Sequence, residues 1–221
     1  MIHTLEVESI QLGFNDRKIL SDIYLRSETG KITGLLGRNG SGKSCLMKII
    51  YGTLKSEKSV RFDNVTQPEA FKRSGLIHYL PQFNFIPKGL SLKRIFKDFD
   101  LEYSYFEKRY PEFSSRYNSS IDCLSGGERR LIELYIIVKS KSYFALLDEP
   151  FTHLSPIQIE KTKELLLEVK SNKGLVVTDH LFTHVTDICD SLYILKDGKT
   201  HLSKGFEDIE RLGYAKTQAR I

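Results

Sequence analysis

Eight consecutive residues, Gly37-Arg38-Asn39-Gly40-Ser41-Gly42-Lys43-Ser44, have the types and spacing to hold a chain of phosphates. Glycines at 37, 40 and 42 let the backbone curl so that several N–H groups point inward. With the N-terminus of a following helix, those donors suit the β- and γ-phosphates of a nucleotide. Lys43 adds a mobile positive charge, the Ser44 hydroxyl can ligate Mg²⁺, and Cys45 continues the loop into the helix. A second stretch, Phe144-Ala145-Leu146-Leu147-Asp148-Glu149, is an apolar strand pattern ending in two carboxylates. Neighbouring side chains on a strand face opposite ways, so the two acids can take different roles. Asp148 can hold Mg²⁺ through its water shell, and Glu149 can polarise the water that attacks the γ-phosphorus.

Between these lies Leu124-Ser125-Gly126-Gly127-Glu128, followed by Leu131, Leu134, Tyr135 and Val138 at i, i+3, i+4, i+7 spacing. The Ser-Gly-Gly turn therefore opens an amphipathic helix, and its N–H groups and positive helix end are available to an anion.

The elements that must position these residues alternate. Residues 2–10 and 19–25 read as strands, and residues 31–36 as a short apolar strand running into the glycine loop. Leu46, Ile49 and Ile50 then have helical spacing. Further strands are expected at 77–80, 143–147, 175–178 and 192–195, with helices at 128–138, 156–170 and 181–189. Strands alternating with helices imply an α/β fold whose mainly parallel sheet is covered on both faces. Residues 85–120 differ, with many aromatics (Phe96, Phe99, Tyr103, Tyr105, Phe106, Tyr110, Phe113, Tyr117) mixed with charge, and read as an inserted subdomain of helices and loops.

The 221 residues, 40% of them hydrophobic, suffice for one sizeable core. A net charge of +5 is mild and spread along the chain, so nucleic acid is not an expected partner. Cys45, Cys123 and Cys189 show no metal or disulfide spacing, and a reducing cytosol is expected. The N-terminus has no signal-peptide pattern, and no apolar run approaches the ~18–20 residues that cross a bilayer. Service to a membrane would then run through a partner.

Taken in order, these motifs resemble the ATP-binding subunits of ABC transporters over nearly the whole chain. Phe14 stands where that family keeps an aromatic that stacks on adenine. Residues 37–44 match its Walker A loop, Leu80-Pro81-Gln82 its Q-loop, and residues 124–128 its signature, here with Glu128 where Gln is commoner. Residues 144–149 match Walker B with the catalytic glutamate, and Thr178-Asp179-His180 its switch histidine. LSGGERR, with EPF and TDH later, looks most like the branch that includes lipopolysaccharide-export and branched-chain amino-acid ATPases.

The resemblance implies one ATP-binding cassette domain over 1–221. Its core would be a P-loop NTPase (RecA-like) fold with an N-terminal antiparallel β part and a helical subdomain at about 85–125. It implies ATP and Mg²⁺, the metal held by Ser44, Gln82 and Asp148, with Glu149, His180 and Gln82 catalytic. The signature would cap the γ-phosphate bound by a second ATP-binding subunit, alike or different. A separate transmembrane permease would use the aromatic-rich segment 96–117 as a socket, or else those rings pack the subdomain's own core. The expected location is the cytoplasmic face of the cell membrane.

The chain departs from the pattern at Ser155, where the loop after Pro150 usually ends in Asp. A hydroxyl still accepts a hydrogen bond but carries no charge, which predicts altered coupling between the two sites or slower hydrolysis. The stretch 119–123 lacks the charged run often seen in exporters, leaving import and export both open. Two other functions fit the motifs: a soluble ABC ATPase, and an ATP-dependent dimer switch outside transport.

Overall fold

The computed structural model describes residues 1–15, 17–203 and 205–211. Along the chain run β1 (Thr4–Phe14), β2 (Arg17–Leu20), β3 (Tyr24–Glu28), β4 (Ile32–Gly37), α1 (Lys43–Tyr51), β5 (Glu57–Phe62), β6 (Val65–Thr66) and β7 (Ile77–Leu80). Then come α2 (Leu92–Asp98), α3 (Tyr103–Arg109), α4 (Gly126–Lys139), β8 (Phe144–Asp148), α5 (Pro156–Val169) and β9 (Gly174–Thr178). The described chain closes with α6 (Phe182–Thr186), β10 (Ser191–Lys196), β11 (Lys199–Ser203) and α7 (Phe206–Arg211).

Among the described residues, one sheet has the order β11-β10-β4-β9-β8-β7. From β10 to β7 every neighbouring pair is parallel, and only β11 is antiparallel. Strands β4, β8 and β9 are buried at every position, as strands covered on both faces must be. The second sheet, formed by β1, β2, β3, β5 and β6, is antiparallel throughout. This is the expected α/β fold, a mainly parallel sheet with an N-terminal antiparallel part. Leu35, Leu46, Ile49, Leu146 and Val176 pack with that antiparallel part on one side. Leu36, Leu147, Leu175, Val177 and the apolar face of α4 share a core with the helical segment on the other.

Several local expectations change. Residues 19–25 are not one strand. The N–H groups of Ser21 and Asp22 both donate to the Gly198 carbonyl, and the chain breaks there into β2 and β3, which pair with separate stretches of β1. Strand β1 runs on to Phe14, with a bulge between Glu8 and Gln11 where Ser9 takes a φ of 54°. Strands β5 and β6 were not anticipated. Their signal was Val60 and Phe62 alternating with polar residues before Asp63-Asn64, both of which take positive φ in the hairpin turn. The helix expected over 181–189 spans only Phe182–Thr186.

The aromatic segment is mainly a core. Phe96, Tyr103, Phe106, Tyr110 and Phe113 are buried, and the Phe106 ring lies 4.9–5.2 Å from those of Phe96, Tyr110, Phe113 and Tyr135. Edge and tilted contacts at these distances add to the area they bury. The socket reading therefore fails for these five rings, while Tyr105 and Tyr117 stay exposed. Phe106→Ala is expected to destabilise the chain by about 3–5 kcal/mol in urea unfolding. Tyr105→Ala should stay within about 0.5 kcal/mol of the parent, and equal losses would contradict this packing.

Candidate functional site

Four of the five parallel strands, β4, β7, β8 and β9, lead into a candidate functional loop at the same edge. The pairs Leu80↔Leu147, Asp148↔Thr178 and Gly37↔Leu195 set the strand ends level. The glycine loop after β4, Gln82 after β7, Glu149 after β8 and His180 after β9 meet around one cavity of about 520 Å³. Phe14, half exposed at the tip of β1, forms its apolar wall with Ile19. Asn39, Gly40, Gly42, Lys43, Ser44 and Cys45 form its floor. Arg17, Lys18, Arg38 and Lys196 line an adjoining groove with Ser41, so the approach to the loop is cationic.

Within the loop, Gly42 takes a φ of 103° as it enters α1, and an added Cβ would lie 3.0 Å from both Ile19 and Leu20. Glycine is required there for conformation and for space. Lys43 is not the mobile charge expected from the sequence. It is buried, and its ammonium donates to the carbonyls of Gly37 at 2.7 Å and Arg38 at 3.3 Å. Burial holds its pKa below the usual lysine range, opposed by the carboxylates of Glu149, Asp148 and Asp179.

Asp148 is buried, and both its carboxylate oxygens are already engaged. Oδ1 accepts from the Thr178 hydroxyl at 2.9 Å and Oδ2 from the Tyr79 hydroxyl at 3.0 Å. Burial, with Asp148 alongside, pushes the Tyr79 phenol far up, so it stays a donor. Glu149 departs from the strand with a φ of 51°. Its N–H donates to Thr178, and its carboxylate accepts from Gln82 Nε2 at 2.7 Å. His180 Nδ1 lies 3.8 Å from the same carboxylate and 3.3 Å from that of Asp179. Burial raises the pKa of Asp179.

Arg130 had no place in the sequence reading. It is buried behind the signature, and its guanidinium donates to the carbonyls of Pro81, Asp148 and Glu149. Glu133, one turn on, accepts from the N–H groups of Phe85 and Ile86 and from Arg129. Their only sequence signal was polar residues on a helix face that the apolar spacing turns inward.

The signature residues lie outside the cavity. Ser125 caps α4 in a reciprocal box: its hydroxyl accepts from the Glu128 N–H, and the Glu128 carboxylate accepts from the Ser125 N–H. Arg116 holds Glu128 at 2.7 Å. Leu124 packs on the core, whereas Ser125 and Gly126 are exposed. Gly127 is packed from behind, since an added Cβ would sit 2.5 Å from the His153 carbonyl. His153 takes a φ of 65° in the loop that ends at Ser155. Ser155 caps α5 in a second reciprocal box, with Gln158, so the unusual residue has a local task.

The chain matches the family described as ABC transporter over residues 20–152, more than half its length. It is 28% identical to the lipopolysaccharide export system ATP-binding protein LptB of Haemophilus influenzae, over 88% of each chain. It is 31% identical to a probable ABC transporter ATP-binding protein of Azorhizobium caulinodans, over 84% of this chain and 72% of that one. Among solved structures, the ATP-binding subunit of an ABC transporter superposes with a TM-score of 0.80 at 23% identity, covering 94% of this chain and 92% of that one. That identity speaks for the fold alone.

The two signature glycines should respond differently to a methyl group. Gly127→Ala is expected to cost about 1–3 kcal/mol in urea unfolding, through its clash with the His153 carbonyl. Gly126→Ala, with open space around the added atom, should be neutral or slightly stabilising. Equal effects would contradict the packing of the 151–155 loop on α4.

Proposed function

The chain belongs to the ABC transporter family as an ATP-binding ATPase, and we propose that it works as one of two copies that close around ATP to drive a separate membrane permease. The observation that carries the pairing is the separation of the signature from the cavity. Phe14, the phosphate loop, Gln82, Glu149 and His180 surround one space, while Gly126 and the Ser125 hydroxyl, at the start of α4, face solvent outside it. Two copies placed face to face around a two-fold axis would bring each signature to the other's nucleotide.

Within one copy, the Phe14 ring stacks on adenine. Glycine-loop N–H groups and Lys43 bind the β- and γ-phosphates. Lys43 exchanges its carbonyl partners for phosphate oxygens, which favours the charged ammonium that burial now disfavours. The hydroxyl of Ser44, which lines the cavity, and the carboxylate of Asp148 suit a Mg²⁺ that arrives with the nucleotide. Because Thr178 and Tyr79 occupy both oxygens of Asp148, that acid fits the ion's water shell. Such an ion would supply charge neutralisation to the phosphates. No group of three or more His, Cys, Asp or Glu able to hold a metal by itself occurs among the described residues.

Gln82 now donates to Glu149. When Gln82 turns away toward the γ-phosphate, the Glu149 carboxylate is released to accept a proton from the attacking water, and His180 steadies both carboxylate and γ-phosphate. Of Gln82, Glu149 and His180, Gln82 is the one from which the chain runs directly into the helical insertion, where the Phe85 N–H donates to Glu133 of α4, so it is suited to report nucleotide to the permease. Among the described residues no helix is long and apolar enough to cross a membrane. We place the chain on the cytoplasmic face of the membrane, held there by the permease. One relative is a lipopolysaccharide export subunit and another a probable ABC transporter subunit, which supports transport as the work done.

Glu149→Gln is expected to lower ATP turnover by on the order of 10²–10⁴-fold while ATP still binds, so that an ATP-bound dimer accumulates in size-exclusion chromatography. Turnover near the parent's would overturn the assignment of Glu149 as base.

A further inference from the structure

The buried Arg130 guanidinium spans two of the loops that meet at the cavity. It is 3% exposed, one turn into the helix that Ser125 caps. Nη1 donates to the Pro81 carbonyl at 2.7 Å, one residue before Gln82. Nη2 donates to the carbonyls of Asp148 at 2.6 Å and Glu149 at 2.9 Å. A single rigid fork thus ties α4 to the starts of two loops that leave different strands.

The bond to Glu149 matters because that residue sits in a left-handed conformation that non-glycine residues seldom adopt. Such a conformation costs free energy and is stabilised where the surroundings hold the residue on both sides. Thr178 holds the Glu149 N–H, and Arg130 holds its carbonyl. Burial disfavours the charged guanidinium, with Glu133, Asp148, Asp179 and Glu149 opposing that loss. A lysine would retain charge, but its single ammonium lacks the planar fork that reaches carbonyls on two loops.

We propose that Arg130 is a positioning residue for ATP hydrolysis, which sets the Glu149 carboxylate and Gln82 relative to each other and binds both to the helix behind the signature. The proposal rests on the reading of Glu149 as base. Its consequence is directional. Contact of Ser125 with a phosphate on the second copy moves α4, and Arg130 carries that movement to Glu149 and Gln82 of the same copy. Each copy's trans contact thereby tunes its own cis chemistry.

The test compares Arg130→Lys, Glu149→Gln and the double variant in the full chain, reading turnover, ATP affinity and thermal unfolding. The expected result for Arg130→Lys is a turnover lower by on the order of 10²-fold, as misplacement of reacting groups produces, with ATP affinity within about threefold of the parent. The double variant should be no slower than Glu149→Gln, because the two residues act as a unit. If Arg130→Lys melts below the assay temperature, Arg130→Gln, which buries no charge, is read the same way. Parent-like turnover, parallel loss of affinity and turnover, or multiplicative losses in the double variant would each overturn the clamp. Should Glu149→Gln itself turn over normally, the base assignment falls and the clamp falls with it. A defect in Glu149→Gln without one in Arg130→Lys removes the clamp alone.

Discussion

A run of parallel strands, β10-β4-β9-β8-β7, is the constraint on which the rest depends. Parallel pairing sends every strand out at one edge, and the register keeps those ends level. The sheet must be buried on both faces to be stable, which is why its strands are rich in Val, Leu and Ile and why the polar chemistry gathers at the strand ends and in the loops beyond them. Four loops that are far apart in the chain are thereby delivered to one cavity. The hydrogen-bond pairs Thr178–Asp148, Tyr79–Asp148 and Gln82–Glu149 each join neighbouring strand ends at that edge.

Against this fixed edge stands a mobile requirement. The phosphate loop, base and histidine belong to one surface, whereas the signature offers its donors elsewhere. Local forces hold the signature ready without filling it: the Ser125–Glu128 box fixes the helix start, and Gly127 lets the loop backbone at His153 pack directly behind it. Ser155, at the end of that loop, substitutes a hydroxyl cap for a charge. The helix start that an acid would cap is preserved, so what the serine removes is a negative charge.

The sequence made the motifs legible because each depends on a local rule. Glycine spacing, an apolar strand ending in acids, and a helix opened by Ser-Gly-Gly are all readable without tertiary contacts. Arg130 was not, since a buried arginine in a polar run looks like an exposed one until three distant carbonyls are folded around it. Lys43 looked mobile for the same reason: its partners are backbone atoms that composition does not reveal. The aromatics of 96–117 could have faced either way, because aromatic anchors and aromatic cores have the same composition, and only the ring contacts around Phe106 separate them. The β5–β6 hairpin was hidden by short strands and charged neighbours, although Asp63-Asn64 marked its turn.

In the proposed arrangement, one ATP site is built from two copies of this chain. Mixing two inactive variants tests it most directly: Lys43→Ala, which loses the nucleotide side, and Ser125→Arg, which blocks the signature side. In a two-fold pair, one mixed dimer keeps a single intact site, so equal mixing should restore about one quarter of the parent's ATP turnover. A mixture as inactive as its components, although the two chains are shown to pair, would contradict the account.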